Sequence, residues 1–184
     1  MPKLPDLRNV AAALALLAAP GCLTSETPLF NAGNAAAAPM ADGRWRGCSH
    51  DENLESPDCK SVSVRRNAVG LYSLDIEGET DLTFARFRKI GAGVYSAQLW
   101  GASDAEPFYF LATQKGAALT LSMIDCAGLP AAFKRARERR GDFDGVEETT
   151  CTAKSVAAVD AAARAWRRTR ASRDGPRVVY TPAT

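Results

Sequence analysis

The chain has 184 residues, of which 46% are hydrophobic and 24% charged, with a formal net charge of +2. That length suits one domain, and the balance is ordinary globular composition. No apolar run after residue 22 is long enough for a transmembrane helix.

The first two dozen residues have the form of an export signal. Lys3 and Arg8 make a short basic start, Val10 to Ala19 is an apolar run too short to span a bilayer, and Ala19-Pro20-Gly21-Cys22 follows. Residues 1–21 read as a signal peptide that is removed. A cysteine directly after a small residue resembles the bacterial lipobox, in which the cysteine receives diacylglycerol and becomes the new N-terminus. The resemblance implies lipidation at Cys22, and the bland alternative is simple secretion after a cut at Gly21. Leu23 follows the cysteine, and in enteric-type sorting a residue other than Asp there resembles outer-membrane delivery. The expected location is therefore the cell envelope, facing the periplasm.

Residues 22–41 are nearly uncharged, run Asn-Ala-Gly-Asn-Ala-Ala-Ala-Ala-Pro in their second half, and show no repeating apolar face. They read as a flexible tether that, as a coil, would hold the domain about 25 Å from its anchor. Residues 42–184 are then a single disulfide-braced domain of about 140 residues.

Alternation with period two begins at Val62 and Val64, recurs in Tyr72, Leu74 and Ile76, in Phe108, Phe110 and Ala112, and in Leu119, Leu121 and Met123. Turn signals separate the runs at Asn67–Gly70, Glu77–Gly78, Gly91–Gly93, Gly101–Pro107 and Gln114–Gly116. Six strands in sequence order, at spacings of about 8 to 12 residues, predict an antiparallel meander that must close or be covered. The period changes after Cys126. Leu129–Arg140 predicts a short basic helix, and Val146–Thr152 one more strand. Ser155–Arg170 predicts a longer amphipathic helix, capped by Ser155, with Val156, Val159, Ala163 and Trp166 on its buried stripe and an Asp160–Arg164 pair on its surface. An extended Val178–Tyr180 ends the pattern.

The fold class is thus mainly β: an antiparallel meander closing into a small barrel, with one short and one longer C-terminal α-helix packed against it. Gly43-Arg44-Trp45 ahead of the first strand, followed by meander, helix and short final strand, resembles the lipocalin plan. There a Gly-x-Trp packs under a small up-and-down barrel and a helix lies on its wall; about seven strands are counted here rather than eight. A lysozyme-inhibitor type of lipoprotein barrel is similar in size and disulfide use.

Beside Cys22 stand Cys48, Cys59, Cys126 and Cys151, an even number that predicts two disulfides in an oxidising compartment. Three pairings are possible, and Cys48–Cys59 with Cys126–Cys151 close the shortest loops. The spacing lacks the paired clusters of a zinc site, and His50 is the only histidine. Ser49-His50-Asp51 is too local for a catalytic triad. Asp142–Glu148 has the carboxylate density of a calcium loop but the wrong register. Asp75, Glu77, Glu79 and Asp81 read as a charged sheet edge rather than as a glycosidase pair. No cofactor is expected, and the reading is non-enzymatic.

Charge divides along the chain: residues 22–126 hold 9 basic and 13 acidic side chains, and residues 127–184 hold 12 basic and 7 acidic. Arg164, Arg167, Arg168 and Arg170, with Arg173 and the Lys134–Arg140 group, form a candidate patch for anionic lipid heads, phosphates or an acidic protein. Without interleaved aromatics they do not suggest nucleic acid. The sheet aromatics Tyr72, Phe84, Phe87, Tyr95, Trp100, Phe108, Tyr109 and Phe110 either line a cavity or fill a core. The expected partners are the membrane, through the lipid anchor, and an envelope protein or a small apolar ligand. A structural lipoprotein acting through its basic C-terminal helix is the alternative, and a hydrolase a distant third.

Overall fold

The computed structural model describes residues 21–51, 55–103, 106–144 and 151–183. Its strands in chain order are β1 (Leu23–Thr24), β2 (Gly43–His50), β3 (Asp58–Arg66), β4 (Tyr72–Ile76), β5 (Thr83–Gly91), β6 (Val94–Gly101), β7 (Phe108–Lys115) and β8 (Ala118–Met123). There follow α1 (Ala131–Glu138), β9 (Phe143–Asp144), β10 (Cys151–Ala153), α2 (Val156–Trp166), α3 (Ala171–Asp174) and β11 (Arg177–Pro182).

Strands β2 to β8 form an antiparallel meander, and β11 closes it by pairing with both β2 and β8. The result is a closed eight-stranded barrel, compatible with a lipocalin-like plan. The eight staves are the six meander strands β3 to β8, β2, which begins at Gly43-Arg44-Trp45, and β11, whereas β10, the described part of the strand expected over Val146–Thr152, pairs outside the barrel with β1 and β9. The C-terminal extended piece, too short to stand alone, is the stave that removes both sheet edges.

Alternation then sorts side chains. One set, including Trp45, Val62, Val64, Tyr72, Leu74, Phe87, Leu99, Phe110, Leu119, Leu121 and Tyr180, fills the lumen. Strand β6 breaks the alternation, because every residue from Val94 to Leu99 is buried. A second core explains this. Outside the wall formed by β6 and β7, Phe30, Tyr109, Leu111, Ile124, Phe143, Val159 and Trp166 pack together. A strand covered on both faces has no solvent side, so the outward Ser96 and Gln98 are buried and meet Asp160, the Phe30 amide and Tyr109 Oη instead of water.

The lid on that outer face is helix α2 together with the segment expected to be a tether. Ser155 caps α2 by accepting from the Ala158 amide at 3.1 Å, and Val159, Ala163 and Trp166 are buried as the stripe requires. Asp160 departs from expectation. It is 5% exposed and pairs inward with Arg88 of β5 at 2.8 Å while accepting from Ser96 Oγ of β6 at 2.6 Å, leaving Arg164 in solvent. A helix face pressed on a sheet gives a carboxylate there buried partners that outcompete an exposed i,i+4 neighbour.

Residues 22–41 do not form a free coil. Leu23 pairs with Cys151 of β10, the Phe30 amide donates to Gln98 Oε1 at 2.8 Å, and the Ala37 amide to the Phe87 carbonyl at 3.0 Å. Met40 enters the lumen core, where its carbonyl accepts from Tyr72 Oη at 2.9 Å, and the Trp45 indole donates to the Ala41 carbonyl at 3.0 Å. The segment is a strap that crosses the outer wall and closes the barrel base. Trp45 lies buried at that base, as the Gly-x-Trp resemblance implies.

The short basic helix appears as α1, anchored by Phe133 against Phe143 with ring centroids 6.1 Å apart. Of the strand expected over Val146–Thr152, residues 146–150 lie outside the described residues, and 151–152 belong to β10. At the β5–β6 turn, Gly93 has φ +60, and a Cβ would stand 3.0 Å from the Gln114 carbonyl oxygen, so glycine is required there on both counts.

Candidate functional site

The candidate site is the end of the barrel opposite the strap's closure, where Cys22 and the arginines fall. Residues 21–24 form an extended run held on two sides. On one side the Cys126 amide donates to the Gly21 carbonyl at 2.5 Å, Cys22 bridges Asp125, and the Leu23 amide donates to the Ile124 carbonyl at 2.9 Å. On the other side Leu23 and Thr24 pair in parallel with Cys151 and Thr152. The disulfide Cys126–Cys151 joins those two flanks and so clasps the run between them. The other disulfide, Cys48–Cys59, links directly paired residues of β2 and β3. Both match the shortest-loop pairing.

The Cys22 sulfur donates to Met123 Sδ at 3.1 Å, and the residue is 7% exposed. Burial, then the nearby carboxylates Asp125 and Glu106, push its thiol up from 9.0 to about 11. A thiol so disposed is protonated at neutral pH and is a poor nucleophile. As a bare side chain it packs against Met123. The residues before Gly21, and with them the signal segment, lie outside the described residues.

The arginines stand close by through one contact chain. Trp166, the last residue of α2, donates its indole N–H to Ser122 Oγ at 2.9 Å, one residue before Met123. Gly128 lies between Trp166 and Asp125: a Cβ there would run into the indole ring and stand 3.3 Å from the Asp125 carboxylate. Arg167, Arg168 and Arg170 continue from Trp166 as exposed side chains. Arg173 is exposed as well, and its carbonyl accepts from Arg177 Nη1 at 3.1 Å. Arg177 pairs across β11 with Ser122 and His50, which fixes this end of the chain at the same end of the barrel. Arg170 meets Asp174 at 3.7 Å, with both side chains largely in solvent, a pair of negligible energy. Arg164 is exposed on α2, Arg135 of α1 and Arg139 and Arg140 just after it are exposed, and Arg137 is held by Asp142 at 2.9 Å.

Other candidates disperse. Ser49 and His50 are consecutive on β2 and point to opposite faces, so they cannot form a triad with Asp51. His50 lines a surface cleft of about 250 Å³ with Glu55, Asp174 and Arg177. Glu79 is engaged by Lys60 at 2.7 Å, Glu77 accepts from the Ser61 amide, and Asp81 from Ser103 Oγ, so the acidic hairpin is a set of separate contacts. Asp142 pairs with Arg137 and Asp144 with Lys154, and the rest of that acidic run lies outside the described residues. Among the described residues no group of three or more His, Cys, Asp or Glu side chains is placed to hold a metal ion. No helix among them is long and apolar enough to cross a membrane.

The sheet aromatics divide. Tyr72, Phe87, Tyr95 and Phe110 belong to the lumen core, Tyr109 to the outer core, and Phe84 stacks on Trp100 on the outer surface with centroids 5.8 Å apart. The space at the barrel mouth, lined by Ser49, Lys60, Val62, Ile76, Val178 and Tyr180, is about 50 Å³. Ligand pockets run to about 300 Å³ and more, so this one has room for water.

Two polar clusters had no local signal in the sequence. Tyr109 Oη donates to Gln98 Oε1 at 3.1 Å and shares a hydrogen bond with Ser25 Oγ at 2.7 Å, which pins the strap. Asp160, Ser96 and Arg88 do the same for α2. The bonds that tie the strap and α2 to the sheet, Ser25–Tyr109, Arg88–Asp160 and Ser96–Asp160, join residues 64 to 84 apart, beyond any motif. No family model, curated protein or solved structure matches the chain.

Proposed function

We propose that the protein is a non-enzymatic, lipid-anchored envelope module that works through its outer surface, as a structural or assembly lipoprotein or by binding a protein partner. One observation carries the choice of surface over lumen. Among the described residues the barrel is packed by Trp45, Tyr72, Phe87, Phe110 and Tyr180, and the mouth space that Val62, Ile76 and Tyr180 line is about 50 Å³. An apolar ligand would need several times that volume. The anchored reading rests on the lipobox-like Gly21-Cys22 and on the two disulfides, which suit an oxidising compartment. Leu23 after the cysteine supports delivery to the outer membrane, with the domain facing the periplasm. The absence of an enzymatic role is part of the proposal: among the described residues the buried thiol, the dispersed carboxylates and His50 supply no nucleophile with its base.

Intact mass of protein purified from membranes of its native host, with and without reduction, is the test. The expected species is cleaved before Cys22, carries acyl chains and gains four hydrogens when its two disulfides are reduced. An unacylated chain beginning at its first methionine would overturn the anchored reading. Stoichiometric lipid or other apolar ligand released from the folded domain would return the function to the lumen.

A further inference from the structure

Strand β1, with Cys22 ahead of it, is packed where an acylated chain cannot keep it. We infer that acylation at Cys22 draws residues 22–24 out of their slot, so that the chain has a tucked unacylated state and a released anchored one, hinged at Ser25. The inference rests on the anchored reading above and specifies what the anchor does to the fold.

Three observations carry it. First, the sulfur lies inside. Cys22 is 7% exposed and its S–H donates to Met123 Sδ at 3.1 Å. A thioether has no proton to give, and its acyl chains must run from the sulfur into a bilayer, a path that the run between its two flanks does not leave open. Second, the processing that creates the anchor takes a clasp bond away. A cut before Cys22 removes Gly21, whose carbonyl accepts from the Cys126 amide at 2.5 Å. The run is then held by the Leu23 amide on the Ile124 carbonyl at 2.9 Å, by its short pairings with Asp125, β10 and β7, and by the complete burial of the Leu23 side chain. Third, the next fixed point is close. Ser25 is 1% exposed and its Oγ shares a hydrogen bond with Tyr109 Oη at 2.7 Å. Beyond it the amides of Phe30 and Ala37 hold the strap to Gln98 and to the Phe87 carbonyl. Release therefore stops at Ser25.

The freed residues 22–24 are the tether. Three extended residues reach about 10 Å, so the barrel stays beside the headgroups instead of swinging on a longer coil. A covalent group biases a two-state segment by being better accommodated in one state, and the bilayer takes up the acyl chains only when the run is out. Without the lipid the burial of Leu23 and Cys22 favours the tuck. The thiol, pushed up to about 11, then stays protonated and shielded from reagents.

The test is amide hydrogen exchange on the acylated chain, its acylation established by mass, in phosphatidylcholine nanodiscs, against the same mature chain made without acylation. The Leu23 amide is expected to exchange at least about 100-fold faster in the acylated protein, with Phe30 and Ala37 equally protected in both. Equal protection of Leu23 overturns the inference and leaves the anchored reading intact. Phe30 and Ala37 losing as much protection as Leu23 also overturns it, since the strap would not hold at Ser25. A chain that carries no lipid in its host removes the anchored reading, and the exclusion is then tested with N-hexadecylmaleimide on the unacylated full chain. With the other cysteines in disulfides, the Cys22 sulfur adds across the maleimide double bond and its proton passes to the neighbouring ring carbon. The addition is expected to run at least about 100-fold slower than in urea and to leave the Leu23 amide fast in the product. A product whose Leu23 amide stays protected overturns the inference.

Discussion

Replacing Phe30 by Ala separates a packed strap from a flexible tether. Phe30 is 3% exposed and meets Tyr109 edge-on, with ring centroids 5.7 Å apart. An aromatic side chain buries about 200 Å². At about 25 cal/mol per Å², reduced for a compact unfolded state and for the methyl that alanine keeps, the loss is about 3 kcal/mol, in the range of measured Phe→Ala changes. The backbone bond from the Phe30 amide to Gln98 survives the substitution, so the effect reports packing. For a domain of this size that loss lowers the melting temperature by about 10 °C and the urea midpoint by about 1 to 2 M. Urea unfolding of the oxidised protein, followed by fluorescence and far-ultraviolet dichroism together, measures it. Glu26→Ala, an exposed change in the same segment, is the control and is expected to do nothing. A Phe30→Ala loss below about 0.5 kcal/mol would refute the strap and restore the coil.

Asp160→Ala leaves Ser96 Oγ and Arg88 without their buried acceptor, and is expected to cost about 2 kcal/mol in urea unfolding, discounted because Arg88 is 36% exposed. Arg164→Ala, at the i,i+4 position, is expected to change stability by less than about 0.3 kcal/mol. In unacylated protein, burial holds the Cys22 thiol at about 11 instead of 9.0 and the Tyr180 phenol at about 12 instead of 10.0. The unfolded chain therefore loses these protons first, so their stabilisation is complete below about pH 9 and disappears as pH climbs to about 12. Urea midpoints at pH 8 and pH 10.5 check the sign, and Cys22→Ala is expected to shallow the fall. Removing the Cys126–Cys151 bridge, which spans 25 residues, is expected to cost about 3 kcal/mol and to speed amide exchange at Leu23. Removing Cys48–Cys59, which spans 11 residues on strands already paired, is expected to leave Leu23 exchange unchanged.

Local chemistry wrote much of the fold into the sequence, because alternation, turns and caps act between near neighbours. Tyr72, Leu74 and Ile76 announce a strand by themselves, and Ser155 announces the start of α2. The disulfides follow the shortest loops because their partners were already close along the chain. What local chemistry cannot encode is which surfaces meet. Val178–Tyr180 becomes a barrel stave only because β2 and β8, each more than fifty residues away in sequence, each leave an edge to fill. The strap was hidden because its few anchors, Leu23, Phe30, Ala35 and Met40, follow no helical or strand period. They are spaced by the curved surface they cross. Asp160 turned inward for the same reason, since a carboxylate takes the donors that tertiary packing brings to it. The arginines and Cys22 were legible as residues, but their shared end of the barrel was not. Residue type and period are properties of neighbours in sequence, whereas a common surface is a property of the closed barrel, and only the tertiary structure decided it.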